Sequence, residues 1–261
     1  MKSDKLILVF SFLGGLILLF IIAPLLGMFF SSSGLEISET IKDTDVRSSI
    51  ILTLWTSMLG TLICALGCIP LAYVLARKEF YLKRFFTGII NLPIVIPHSA
   101  AGIALLTVIS RDTSVGRLAE SLGFGFVSST AGIMLAMAFV SVPYLITAAI
   151  DGFSAVPVKL EKAALNLGAS PLRTFFTITL PLAWRPVLSG LIMMWARGMS
   201  EFGAIVIIAY HPMTTPVMIF ERFNSFGISY ARPVAVIFVI VCLIFFIAIR
   251  YFSRKKTDAR N

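Results

Sequence analysis

Six stretches of this chain, at about residues 6–30, 50–76, 86–110, 130–150, 187–210 and 233–252, are overwhelmingly apolar. A helix rises about 1.5 Å per residue, so roughly 20 residues cross the ~30 Å hydrocarbon layer of a bilayer. Lipid offers the backbone no hydrogen-bond partners, and runs of this length therefore predict helices. Apolar residues are 58% of the 261, with 22 Phe against 13 acids, which removes the soluble-enzyme class. The predicted fold is an all-α integral membrane protein with six transmembrane helices in a single domain over 1–261. Lys2 and Lys5 precede the first run as in an export signal. That run is longer than the roughly 7 to 15 residues of a signal core and reads as a retained anchor.

Charge orients the spans. With the N-terminus inside, the inner segments hold Lys2, Lys5, Arg77, Lys78, Lys83, Arg84, Lys159, Lys162, Arg173, Arg185, Arg250, Arg254, Lys255, Lys256 and Arg260. The outer loops hold Lys42, Arg47, Arg111, Arg117, Arg222 and Arg232. This excess of inner basic residues places the protein in a cytoplasmic (inner) membrane, multi-pass, with both termini cytoplasmic. The net charge of +9 then reports topology and anionic headgroups, with no nucleic-acid module. Cys64 and Cys68 lie one turn apart in a span, Cys242 lies in another, and no His, Asp or Glu nearby completes a metal site, so all three read as packing residues.

Two spans are interrupted by polar or helix-breaking residues. The third contains Asn91, Pro93, Pro97, His98 and Ser99, and its prolines predict a broken helix whose freed carbonyls need protein or water beside them. A packed kink with a satisfied histidine is the plainer reading of His98. The fifth contains Arg197 and Glu201, whose i,i+4 spacing permits a pair on one helix face. Ionised groups at that depth must face the interior, either as a structural pair or lining a route for a charged solute, with Arg197 attracting anions. Gly198 and Gly203 would allow close helix approach beside them.

The segment 151–185 between the fourth and fifth spans is polar and reads as a cytoplasmic docking element. Pro157 can open a short helix that Gly168 ends, and Ser170 with Pro171 can cap and open a second. Small side chains at Ala163, Ala164, Gly168 and Ala169 would let another protein approach closely, although two ordinary surface helices would show the same pattern. The chain carries no phosphate-binding Gly-x-x-x-x-Gly-Lys-Ser/Thr run, no His-Glu-x-x-His and no Gly-x-Ser-x-Gly. A non-catalytic transport subunit driven by a separate ATPase fits these features better than a membrane enzyme. A membrane receptor or signalling scaffold is the alternative of another class.

The run Lys162-Ala163-Ala164, then Gly168, then Ile178-Thr179-Leu180-Pro181, is similar to the cytoplasmic EAA motif of binding-protein-dependent ABC importer permeases. Lys162 stands where that motif usually has glutamate, and Glu161 stands just before it. Together with the Leu92–Pro97 stretch and the Arg197–Ala204 segment, nearly the whole chain resembles permeases of molybdate or tungstate importers, which are related to sulfate and thiosulfate permeases. Family members often carry a second proline where this chain has His98. The resemblance implies the ABC importer permease fold, with Glu161, Lys162, Ala163, Ala164, Gly168, Ser170 and Pro171 in coupling helices that enter the ATPase. It further implies a homodimer of permeases, two ATPase subunits that hold ATP and Mg, and an extracytoplasmic binding protein that delivers the oxyanion. This chain itself would bind no cofactor and no metal.

Overall fold

The computed structural model describes the backbone of residues 2–258 and the side chains of residues 5–247. The side chains of Lys2, Arg250, Arg254, Lys255, Lys256 and Arg260, counted above for orientation, lie outside the described residues. In chain order the helices are α1 (Lys2–Phe30), α2 (Gly34–Lys42), α3 (Thr44–Arg77), α4 (Lys83–Val95), α5 (His98–Ile109), α6 (Ser114–Ser121) and α7 (Thr130–Ala155). They continue as α8 (Val158–Asn166), α9 (Pro171–Thr174), α10 (Leu180–Met199), α11 (Gly203–Ile208), α12 (Thr215–Phe226) and α13 (Ile228–Asp258). Among the described residues, five helical stretches are long and apolar enough to cross a membrane, and α4 with α5 make a sixth if that pair, bent by 115°, is one span.

The chain forms two compact units, Met1–Ser48 with Met218–Asn261, and Ser49–Val217. In the first, Ser33 and Glu36 form a reciprocal capping box that starts α2. Asp43, just past the end of α2, takes a 2.6 Å bond from Arg222 of α12, and Arg232 of α13 donates to the Ser31 carbonyl at 2.6 Å. No residue in the apolar stretch of α1 is buried, as expected of a helix whose sides meet lipid or another chain.

The second unit is built on α7 packed against α10. The two run antiparallel and nearly touch: a Cβ on Gly152 would lie 2.7 Å from the Pro186 Cβ, and one on Gly190 would lie 2.9 Å from that of Ala148. One buried cluster, around Ala72, Leu145, Phe153, Val187 and Met194, sits where α3 meets this pair. A second, around Ala101, Ile133, Ala204, Ile205 and Val217, joins α5, α7 and α11.

Four expectations change in detail. The helix breaks only at the second proline: Ile96, before Pro97, is extended (φ −73°, ψ 147°), while Pro93 lies buried inside α4. Steric conflict with a following proline ring drives that residue out of helical space. The helix opened by Pro171 is no separate short element; α9 runs through a π turn at Phe175–Thr179 into α10, and the membrane-length stretch is Pro171–Met199. At its other end this span stops at Met199, short of residue 210, because Ser200–Phe202 leave the helix. Asp151 still belongs to α7.

Candidate functional site

Two clusters of the second unit carry the polar residues singled out above. The first surrounds α8. Pro157 precedes the helix, and Gly168 ends it at φ +87°, where a side chain would be strained. The Gly168 N–H donates to the Leu165 carbonyl and the Ala169 N–H to the Ala164 carbonyl, the paired pattern of a left-handed glycine terminator. Ser170 then accepts from the Arg173 N–H and Pro171 takes the first helical position, as the sequence predicted.

The helix divides the motif between two faces. Lys162, Ala163 and Gly168 are exposed, with Leu160, Leu165, Leu167 and Leu172 around them, while Glu161 and Ala164 are buried. The Glu161 carboxylate is held by Arg77 at the end of α3, whose Nη2 donates to Oε1 at 2.8 Å and Nε at 3.0 Å. Arg77 Nη2 also donates to the Val156 carbonyl at 3.0 Å. Thr179, in the π turn, donates to Oε1 at 2.7 Å, and the Tyr73 hydroxyl reaches Oε2 at 3.4 Å. Burial pushes the Glu161 carboxyl up, but the Arg77 and Thr179 hydrogen bonds and the Arg77 charge outweigh it and hold the group below its ordinary value. Sequence reading did not anticipate Arg77, Thr179 and Tyr73 as the partners of Glu161.

The second cluster lies where two helix breaks meet. The chain turns at Pro97 to begin α5 with His98, and Ser200–Phe202 separate α10 from α11. Glu201 is fully buried. Its Oε1 accepts from the Ala204 N–H at 2.9 Å, and its Oε2 lies 3.0 Å from both Arg197 Nη2 and His98 Nδ1. The same Arg197 nitrogen is 2.7 Å from His98 Nε2. Arg197 Nη1 also donates to the Ser200 hydroxyl at 3.3 Å. The carboxylate is thus fully satisfied, while the guanidinium and imidazole keep partial exposure, with side chains 19% and 37% accessible.

Backbone contact makes this meeting possible. A Cβ on Gly203 would lie 2.8 Å from the His98 Cβ, and one on Gly102 would lie 3.0 Å from the Ala204 Cα. Gly198 is less constrained, since a Cβ there would meet only ordinary contacts beginning at 3.5 Å. Asn91 lies elsewhere: it is half-buried on α4, where Thr147 of α7 donates to it at 3.4 Å. Ser99 is exposed on the first turn of α5. Among the described residues, no three His, Cys, Asp or Glu side chains group to hold a metal.

The pattern of the binding-protein-dependent transport system inner membrane component matches residues 68–258. The chain belongs to this family. The permease is 43% identical over 260 residues to the molybdate/tungstate transport system permease protein of Pyrococcus furiosus, covering 99% of each chain. It is 31% identical over 208 residues to a probable sulfate transport system permease protein of Chlorokybus atmophyticus, covering 78% of this chain and 73% of that one. Its fold is similar, at a TM-score of 0.75 and 18% identity, to the crystal structure of a bacterial ABC transporter involved in the import of the acidic polysaccharide alginate. That match covers 97% of the permease and 96% of the other chain. The architecture is that of an ABC importer permease, a transport subunit rather than a catalyst.

Proposed function

We propose that this permease carries molybdate or tungstate inward, working as a pair of copies with two ATPase subunits and an extracytoplasmic binding protein. The observation that carries the reading is the full-length 43% identity to the Pyrococcus furiosus molybdate/tungstate permease. In this reading α8 and the turn at Gly168 lie in the cytoplasm and offer the ATPase their exposed face, including Lys162 and Ala163. The basic bias of the inner segments supports that orientation, with both termini cytoplasmic. ATP-driven closure of the ATPases moves α8 and opens the passage outward; hydrolysis returns it to the inward-open state. This is a shift between two states driven by differential partner binding.

Arg197 and His98 are the groups we assign to the passage, with Glu201 fixing both and Asn91, Pro93, Pro97 and Ser99 shaping the third span around them. A tetrahedral dianion needs only a weak, transient attraction here, so selectivity can rest with the binding protein. Sulfate is the second reading, favoured by the likeness to the Chlorokybus atmophyticus protein. The test is uptake by proteoliposomes holding permease, ATPase and binding protein. ATP-dependent accumulation of molybdate or tungstate, with sulfate well behind, is the expected result. Accumulation of sulfate alone supports the second reading, and no ATP-dependent oxyanion movement refutes both.

A further inference from the structure

The carboxylate beside the EAA-like motif points away from the surface of α8, and its partners come from two other helices. Glu161 takes both Nε and Nη2 of Arg77 at the end of α3 and the hydroxyl of Thr179 immediately before α10, in a site where the paired side chains are about a tenth exposed. Arg77 also grips the Val156 carbonyl, in the link between α7 and α8. Four helices are therefore tied through one ion pair at the base of the second unit. An ATPase seated on the outer face of α8 would not reach this carboxylate.

We infer that Arg77 is a positioning residue for energy coupling: through Glu161 it locks α8 to α3 and α10, so that displacement of α8 moves both helices together. The inference rests on the reading of α8 as the ATPase-coupling helix. A bidentate guanidinium–carboxylate contact has a fixed plane as well as a length, and this lets it transmit rotation where a single flexible hydrogen bond would yield. Thr179 extends the lock because the π turn presents its hydroxyl to Glu161 at the root of α10. Without Arg77, α8 would still fold, since its glycine terminator at Gly168 is local. Its motion would then reach the spans only through the chain.

The test uses the assembled importer in proteoliposomes with its ATPase and binding protein, measuring molybdate and tungstate uptake, ATP hydrolysis and complex yield together. Variants are Arg77→Gln, Arg77→Lys, Glu161→Gln and the doubly neutral Arg77→Gln/Glu161→Gln. Uptake per ATP hydrolysed is expected to fall about tenfold in Arg77→Gln, within the usual range of coupling between sites. Arg77→Lys, which keeps the charge without the fork, should recover part of the loss. The double variant strands no charge, so it should assemble at normal yield and still waste ATP. Normal uptake per ATP in an assembled Arg77→Gln or double variant overturns the inference, as does a defect confined to yield. A wild-type complex that moves no oxyanion would instead overturn the functional reading beneath it, so the two failures are distinguishable.

Discussion

Neutralising Arg197 and Glu201, singly and together, separates an anion-facing arginine from a purely structural pair. Glu201 has three partners, the Ala204 N–H and the Arg197 and His98 side chains, and no exposed surface. Arg197→Gln removes the permanent cation but leaves the other two, so the expected cost is near the lower end of the range for breaking a buried pair, about 3 kcal/mol. Glu201→Gln strands a guanidinium that water already reaches, and the amide can still accept from Ala204; about 2 kcal/mol is expected. In the double variant no charge is left without its partner, and about 2 kcal/mol of the summed loss should return as interaction energy. The assay pairs thermal unfolding and yield of the purified complex with oxyanion flux. If Arg197 faces the passage, the double variant regains stability while flux stays low. Recovery of both stability and full flux in the double variant would refute the route role.

Other substitutions probe the scaffold and α8. Gly152→Val must push a β-branched side chain into the Pro186 ring; overpacking of this kind costs about 1–3 kcal/mol, and a lowered unfolding temperature of the complex would register it. Gly168→Ala meets no atom within 4 Å yet keeps φ at +87°, so a loss of about 1 kcal/mol is expected, with Gly168→Asn milder; equal stability of all three would contradict the backbone argument. Because the folded Glu161 carboxyl lies below its ordinary value, its stabilisation is complete above that ordinary value and is lost as pH falls through the folded one. The protection of α8 amides against hydrogen exchange, taken relative to the intrinsic rate at each pH, should therefore fall on acidification in the wild type, and Glu161→Gln should remove that fall.

The features legible in the sequence were those whose cause is local. Length and apolarity set the spans, Gly168 and Ser170 marked a helix end and a helix start, and the spacing of Arg197 and Glu201 anticipated their pair, although Glu201 stands in the break after α10 rather than on a helix face shared with Arg197. Distant partners left no such trace. Arg77 looked like one inner basic residue among many, 84 positions from Glu161, and His98 joins a pair 99 positions away only because the chain turns at Pro97. The continuation of α9 into α10 was hidden for another reason: a hydropathy boundary is not a helix boundary. Pro181 lacks the N–H a regular turn needs, but the preceding π turn, with the Leu180 N–H bonded to the Phe175 carbonyl, shifts the pattern and lets the helix go on.

That continuity links the two clusters mechanically. Thr179, bonded to Glu161, stands at the foot of α10, and Arg197, bonded to Glu201 and His98, stands in its last turn. A helix of 20 residues spans about 30 Å, the thickness of the hydrocarbon layer. The intervening turns cannot absorb much motion, because α7 lies against them at backbone distance at Gly152 and Gly190. A rotation imposed at the Glu161 end would therefore be carried along α10 toward the contact between Arg197 and His98. At that end the helix has already stopped, and the six residues of α11 are held by the Ala204–Glu201 bond and by Gly203 against His98. On the proposed reading of α8 as the coupling helix and of Arg197 as a group facing the passage, the Ser200–Phe202 break is where a movement of α10 would change which polar groups face the opening.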